Sequence, residues 1–293
     1  MRTESEIYSL ILKIANDDEH ILAVYMNGSR TDEKAEKDIF QDYDIVYVVD
    51  ETKRFYGDDE FINKFGNILY MQSPDALDLS LGKDVDTESS YGWLMQFDDG
   101  VRIDLHVQSA EYAKQAIKQD ELCKILLDKH SVLPPIHDSN DSQYHVKAPK
   151  QCEFDFVCNE FYWCMNNVAK GIWRDETPYV MEQLNFIIRP QLIKMLSWKI
   201  GYENNFSVSV GKSAKRFSKF LSHDTYNKFL QTYPAADKEQ MITAAKMMFE
   251  LFEESAKETA QNFHFVFDEK QAENSFKFFI HAVKLPKGAT EIY

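Results

Sequence analysis

Apolar positions recur first at helical spacing, then at strand spacing, then at helical spacing again, and that order sets the fold class. Ile7, Leu10, Ile11 and Ile14 fall on one side of residues 4–17, which predicts an opening amphipathic helix ended by Asn16-Asp17-Asp18. Residues 21–26 are apolar and stop at a glycine, the pattern of a buried strand breaking into a turn. A second apolar run begins at Ile45 and predicts a central strand. Between the two runs, residues 31–40 are charged and too polar for a core. Residues 50–53 begin a surface loop, 60–65 suit a short helix and 68–72 a strand. Residues 73–89, rich in Pro, Asp, Gly and Ser, predict a loop with at most brief helix. Residues 101–107 alternate apolar and polar, as a strand does. With residues 93–97 and the turn Asp98-Asp99-Gly100 they predict a hairpin that closes the sheet. Ser109 suits the cap of a helix reaching Ile117, with Glu111 in its first turn, and residues 123–129 suit another short element.

Residues 133–150 are rich in Pro, Asn and Asp and carry little apolar periodicity, so they predict an interdomain linker. Beyond it the pattern is helical. Helices are expected over residues 152–172, from Thr177-Pro178 to about Ile200 with a kink at Arg189-Pro190 and a stop at Gly201, over 212–221, 224–232, 238–262 and 269–282. The expected class is therefore α+β. A mixed β-sheet with flanking helices fills residues 1–148, and an all-helical C-terminal domain fills residues 149–293.

Composition narrows the setting. A chain of 293 residues fits two packed domains, and 44% hydrophobic residues can build their cores. No apolar run approaches membrane-spanning length and residues 1–6 lack a signal-peptide pattern, so a cytoplasmic protein without membrane association is expected. Cys123, Cys152, Cys158 and Cys164 form no Cys-x-x-Cys pair, which points to reduced thiols rather than zinc or disulfide chemistry. The eight histidines show no zinc spacing. A net charge of −15 disfavours nucleic acid as partner and suits a small cationic one.

The chemistry gathers around the first turn. Gly28 lets backbone approach a ligand closely and Ser29 adds a hydroxyl donor. Asp42 and Asp44, one residue apart at the start of a strand, project to the same side. Two carboxylates that close repel unless one is neutralised or a cation lies between them. Taken alone, Asp-x-Asp is also what an acidic turn entering a strand looks like. Asp104 adds a third carboxylate, on the polar side of its strand with Arg102 and His106. If the hairpin lies beside the Asp42/Asp44 strand, the three converge, and such a set can hold two Mg²⁺ ions for phosphoryl or nucleotidyl transfer. A structural hydrogen bond is the expected role of His106.

These residues carry a resemblance. Gly28-Ser29, Asp42-Tyr43-Asp44 and Asp104 are similar to the signature of the nucleotidyltransferase superfamily. The surrounding stretches, residues 26–31, 40–47 and 102–105, resemble the aminoglycoside 6-adenylyltransferases. So do Cys158-Asn159-Glu160-Phe161 with Val168-Ala169-Lys170-Gly171, and Arg189-Pro190 with residues 195–198, so the likeness covers nearly the whole chain.

The resemblance implies an N-terminal nucleotidyltransferase domain and a helical substrate-binding domain. It implies ATP as co-substrate with two Mg²⁺ held by Asp42, Asp44 and Asp104, and transfer of AMP to the 6-hydroxyl of streptomycin with release of pyrophosphate. Asp104 would take the hydroxyl proton, share a metal, or both. Gly28 and Ser29 would bind the triphosphate. Arg30 would neutralise phosphate or pair with a surface carboxylate. Lys170 would reach the phosphates from the helical domain. Glu160, Trp173, Asp175, Glu176 and Glu182 are the candidates for gripping the antibiotic's guanidinium groups, by bidentate pairing and by stacking. A different small-molecule or protein hydroxyl, or a catalytically silent nucleotide-binding protein, are the alternatives. Monomer and homodimer are both compatible.

Overall fold

Thr3 opens the first helix in the computed structural model, which describes residues 1–32, 35–56 and 59–293. Its hydroxyl accepts from Glu6 N while the Glu6 carboxylate accepts from Thr3 N, a reciprocal cap that fixes where α1 (Glu4–Asp17) begins. Two compact units follow, Met1–Gln143 and Tyr144–Tyr293, divided within the predicted linker.

The first unit is built on a six-stranded mixed sheet. Its strands are β1 (Ile21–Asn27), β2 (Tyr43–Val49), β3 (Ile68–Gln72), β4 (Ser90–Phe97), β5 (Arg102–Ser109) and β6 (Cys123–Asp128), in the spatial order β3-β4-β5-β2-β1-β6. Only β2 and β5 run parallel; the other neighbours are antiparallel. The β4–β5 hairpin forms as expected, but it does not close the sheet. It lies inside, with β3 on one edge and residues 123–128 paired to β1 on the other. Alternation sorts the side chains. Tyr43, Ile45, Tyr47, Ile103, Leu105 and Val107 face a core shared with Ile7 and Ile11 of α1 and with Phe61 of α2 (Asp59–Asn63). Ala23, Tyr25, Val46 and Val48 face Ala113 and Ile117, from and just after α4 (Ala110–Ala116). That short helix, about 10 Å long at 1.5 Å per residue, covers one stretch of its face. Residues 73–89 contain α3 (Pro74–Ser80), which buries none of its side chains. Residues 33 and 34 of the charged connection lie outside the described residues; the connection holds a 3₁₀ turn at Ser29–Thr31.

The second unit is helical, with no strand among its described residues. It comprises α5 (Gln151–Arg174), α6 (Thr177–Glu182), α7 (Arg189–Glu203), α8 (Phe217–Phe220), α9 (His223–Gln231), α10 (Lys238–Phe263) and α11 (Glu269–Ala282). The expected kink takes the form of a π-helical segment, Gln183–Ile188, ahead of Pro190. Pro190 has no N–H and its ring crowds the carbonyl four residues back, and a wider turn relieves both problems. Arg189 is buried beside it, donating to Thr232 Oγ1 and O with its guanidinium on the Tyr233 ring. Gly201 does not stop the helix: a Cβ there would meet the Phe206 ring at 2.7 Å and Val146 at 2.8 Å. The glycine is required by close packing. Residues 212–221 split into a 3₁₀ turn, Lys212–Ala214, with Ser213 inside it in left-handed backbone, and α8. All four cysteines are free, and no helix among the described residues is long and apolar enough to cross a membrane.

Candidate functional site

Register decides which polar side chains meet. Asn27 pairs with Asp44 across the antiparallel β1–β2 ladder, and Asp44 pairs with Asp104 across the parallel β2–β5 ladder. Directly paired residues point to the same face, so Asn27, Asp44 and Asp104 form one row. Asp42 precedes Asp44 by two and shares that face. The row lies on the α4 side of the sheet, on the same face as Val46 and Val48 but at the other end of β2. Asp104 is 15% exposed and Asp42 35%, so the carboxylates are recessed but open to solvent.

The turn after β1 is shaped around Asp44. Gly28 has φ +78°, and a Cβ on it would run into Asp44 Oδ2. Only glycine satisfies both conditions. Gly28 N donates to Leu122 O at 3.0 Å, and Gly28 O accepts from Thr31 N and Oγ1 at 3.0 and 2.8 Å. Ser29 is exposed at the head of the 3₁₀ turn, where the first N–H groups have no partner within the turn. Arg30 does not present a free fork. It donates to Gln41 O at 2.7 Å and Asp42 O at 2.9 Å, lies over the Tyr43 ring at 3.7 Å and is 10% exposed. Its visible work is to tie the turn to the strand that carries Asp42 and Asp44.

Crowded negative charge leaves its mark on acidity. Asp44 is pushed up to about 6, first by burial and then by Asp104 and Asp42, against the pull of Arg102. Asp120, in the loop before β6, adds a weaker push. Asp42 is also raised, mainly by burial, with Arg102 opposing. Arg102 is the counter-charge. Its Nε and Nη2 grip Asp104 Oδ1 and Oδ2 at 2.8 and 2.7 Å, and Nε lies 3.6 Å from Asp42 Oδ2. The three carboxylates are neighbours, yet no group of three acidic, imidazole or thiol side chains among the described residues is gathered as a ready metal cage. With both oxygens of Asp104 on Arg102, that carboxylate is not turned to a shared centre.

The donor set nevertheless fits a hard divalent cation. Oxygen ligands suit Mg²⁺, and a guanidinium already bridges two of the three carboxylates. One further oxygen, Asn27 Oδ1 beside Asp44, is buried without a hydrogen-bond partner and could join that set; Gln41 Oε1 is likewise unpartnered, but its amide is turned to Ser29. His106 lies further along the same face of β5, its ring beneath Gly92, where a Cβ would collide with it. Burial lowers its pKa, so the ring is neutral at pH 7.

The candidates in the helical unit are dispersed. Lys170 and Trp173 line a cavity of about 510 Å³ with Asn166, Arg174, Phe278, Leu285 and residues 289–292. The Trp173 indole donates to Leu285 O at 3.0 Å. Asp175 caps α5 in left-handed backbone and pairs with Lys238 at 3.3 Å and with Lys287, which together lower its pKa. Glu176 lies 3.9 Å from Arg174. Glu182 is exposed at the end of α6. Glu160 accepts from Cys164 Sγ at 3.5 Å, about 15 Å along α5 from Lys170 at 1.5 Å per residue. Sequence reasoning passed over Asn27, Gln41 and the bridging role of Arg102. The spacing Arg102-x-Asp104, two residues on one strand face, was the available signal for the last.

A family model described as streptomycin adenylyltransferase matches residues 1–282. Three curated proteins, each named aminoglycoside 6-adenylyltransferase, align over most of the chain. The one from Staphylococcus aureus is 32% identical over 277 residues, 94% of this chain and 97% of its own. That from Campylobacter jejuni is 34% identical over 275 residues, 92% and 93%. That from Bacillus subtilis (strain 168) is 33% identical over 265 residues, 89% and 91%.

Proposed function

The chain belongs to the streptomycin adenylyltransferase family, and from that membership we propose that it moves AMP from Mg-ATP to the 6-hydroxyl of streptomycin, releasing pyrophosphate. The observation that carries this reading is the side-by-side row of Asp44 and Asp104, with Asp42 on the same face and Gly28 shaped to the Asp44 carboxylate.

Asp42, Asp44 and Asp104 would hold Mg²⁺, which when bound neutralises the phosphates and the charge that develops on them. The acceptor oxygen forms its bond to the α-phosphorus as the bridging oxygen departs with pyrophosphate. Asp104 takes the hydroxyl proton, because an alcohol is a poor nucleophile at neutral pH without a base. Both Asp104 oxygens accept from the Arg102 guanidinium, so Arg102 has to release one of them before it can meet the hydroxyl proton. Ser29 donates its hydroxyl to the triphosphate, and Lys170 supplies a further cation to it. Trp173 and the acidic residues of the helical unit recognise the antibiotic. Glu160 and Glu182 are the stronger candidates there, since Asp175 and Glu176 already face Lys238, Lys287 and Arg174. A net charge of −15 favours encounter with a cation. An ATP-dependent enzyme of this kind works in the cytoplasm, where its co-substrate is.

The test is incubation with ATP, Mg²⁺ and streptomycin, read by mass spectrometry and by pyrophosphate release. An adenylated antibiotic with matching pyrophosphate is expected. Adenylation of a different aminoglycoside alone would move the acceptor assignment. Turnover of none across a panel would reject the reaction.

A further inference from the structure

We propose that Gln41 is a positioning residue that aims the Ser29 hydroxyl at the nucleotide phosphates, an inference that rests on the adenylyl-transfer reading above. A serine hydroxyl has one proton to give and two lone pairs to accept with. Gln41 Nε2 donates to Ser29 Oγ at 3.1 Å. One lone pair is therefore occupied, and the Ser29 proton has to point away from Gln41. Ser29 is exposed, so that direction is open to a ligand, and the ligand such a proton suits is an anion.

The arm that does this starts from a fixed point. Gln41 O accepts from Arg30 Nη2 at 2.7 Å and the next carbonyl, Asp42 O, from Arg30 Nε at 2.9 Å, while Arg30 lies on the Tyr43 ring at 3.7 Å. Arg30 thus locks residues 41 and 42 to the residue that follows Ser29. The other end of the same amide, Oε1, is buried with no partner. Natural folds rarely leave such an acceptor unsatisfied. The amide holds this pose for what its Nε2 does. The Gln-Asp-x-Asp run then has a physical reading: Asp42 and Asp44 supply carboxylates, and Gln41 controls the neighbouring hydroxyl. The donor identity matters as much as the reach. A carboxylate at position 41 could only accept, so it would draw the Ser29 proton to itself and add a negative charge beside the phosphates.

The experiment is a double-mutant cycle on nucleotide affinity, measured by titration calorimetry with Mg²⁺ and a non-hydrolysable α,β-methylene ATP, beside KM and kcat for ATP. Thermal melts verify that each variant folds. Q41A is expected to weaken nucleotide binding about five- to tenfold with kcat within about twofold, the split of a group acting on ground-state binding. Q41E, nearly isosteric, is expected to weaken it more than Q41A does. In the S29A background, Q41A is expected to change affinity less than twofold, because the group it acts through is gone. Independent, multiplying effects would overturn the inference, as would Q41E binding as tightly as wild type. Those results leave adenylyl transfer standing. A wild-type chain that binds no nucleotide sinks both readings together, and the two failures are told apart by which protein shows them.

Discussion

Replacing Asp44 with asparagine should make the protein more stable at neutral pH while abolishing its chemistry. Asp44 is raised from its ordinary 3.8 to about 6 by burial and by Asp104 and Asp42. A raised carboxyl favours the protonated fold. Its contribution is full below about pH 4, where the unfolded chain is protonated as well, and is lost as pH climbs through about 6. At about 1.36 kcal/mol per pK unit, the penalty for ionised Asp44 works out at about 0.5 kcal/mol at pH 4, about 1.6 at pH 5 and about 3 at pH 8. Asn has the same shape and no charge, so D44N should gain on wild type by those amounts. For a unit of about 150 residues that is up to roughly 10 °C of Tm at pH 8. The assay is thermal melting of both proteins from pH 5 to pH 8, with and without Mg²⁺. The gap should widen by about 1.5 kcal/mol across that range. Mg²⁺ should narrow it at pH 8, since a bound cation favours the ionised carboxylate. A gap that is constant with pH, or a wild type more stable than D44N at pH 8 without Mg²⁺, would refute the picture of crowded carboxylates kept for function at the expense of stability.

Three further outcomes follow from the same row of residues. D104N should lower kcat by about 10²-fold or more while nucleotide binding persists, the scale of losing one key electrostatic group; near-normal turnover would remove Asp104 from the reaction. G28A should destabilise the first unit by about 1–3 kcal/mol, through φ +78° and the collision with Asp44 Oδ2, and cut activity with it; denaturant melts and turnover that match wild type would contradict the packing argument. R102Q removes the cation that bridges Asp104 and Asp42, so the apo protein should bind Mn²⁺ several-fold more tightly by electron paramagnetic resonance; weaker or unchanged binding would show that Arg102 does not compete for those carboxylates.

What local pattern can show of the strand residues, and what it cannot show of the surroundings of the helical ones, comes down to the range of the forces involved. Alternation is local. It gave β5 its polar face, with Arg102, Asp104 and His106 on it, and it put Asp42 and Asp44 on one side of β2 before any pairing was known. Adjacency of β2 and β5 is not local. The two strands are parallel and in register although β3, α3 and β4 intervene, and nothing in either strand's own pattern demands it. The expectation for Asp104 was conditional for that reason. Sequence proximity suggested that Trp173, Asp175, Glu176 and Glu182 act as one cluster. The turn after α5 instead delivers Asp175 to Lys238 and Lys287, 63 and 112 residues downstream, and the Trp173 indole to Leu285 O. Long side chains at a helix corner choose partners from whatever tertiary structure brings near, and exposed pairs of that kind contribute little stability. Such pairs leave little trace in local sequence pattern. The Gly28–Asp44 fit is of the other kind, because one added methyl would break it, and a constraint that severe restricts the residue type itself. Local alternation and a glycine that nothing else can replace leave marks in sequence; partners delivered by tertiary structure do not.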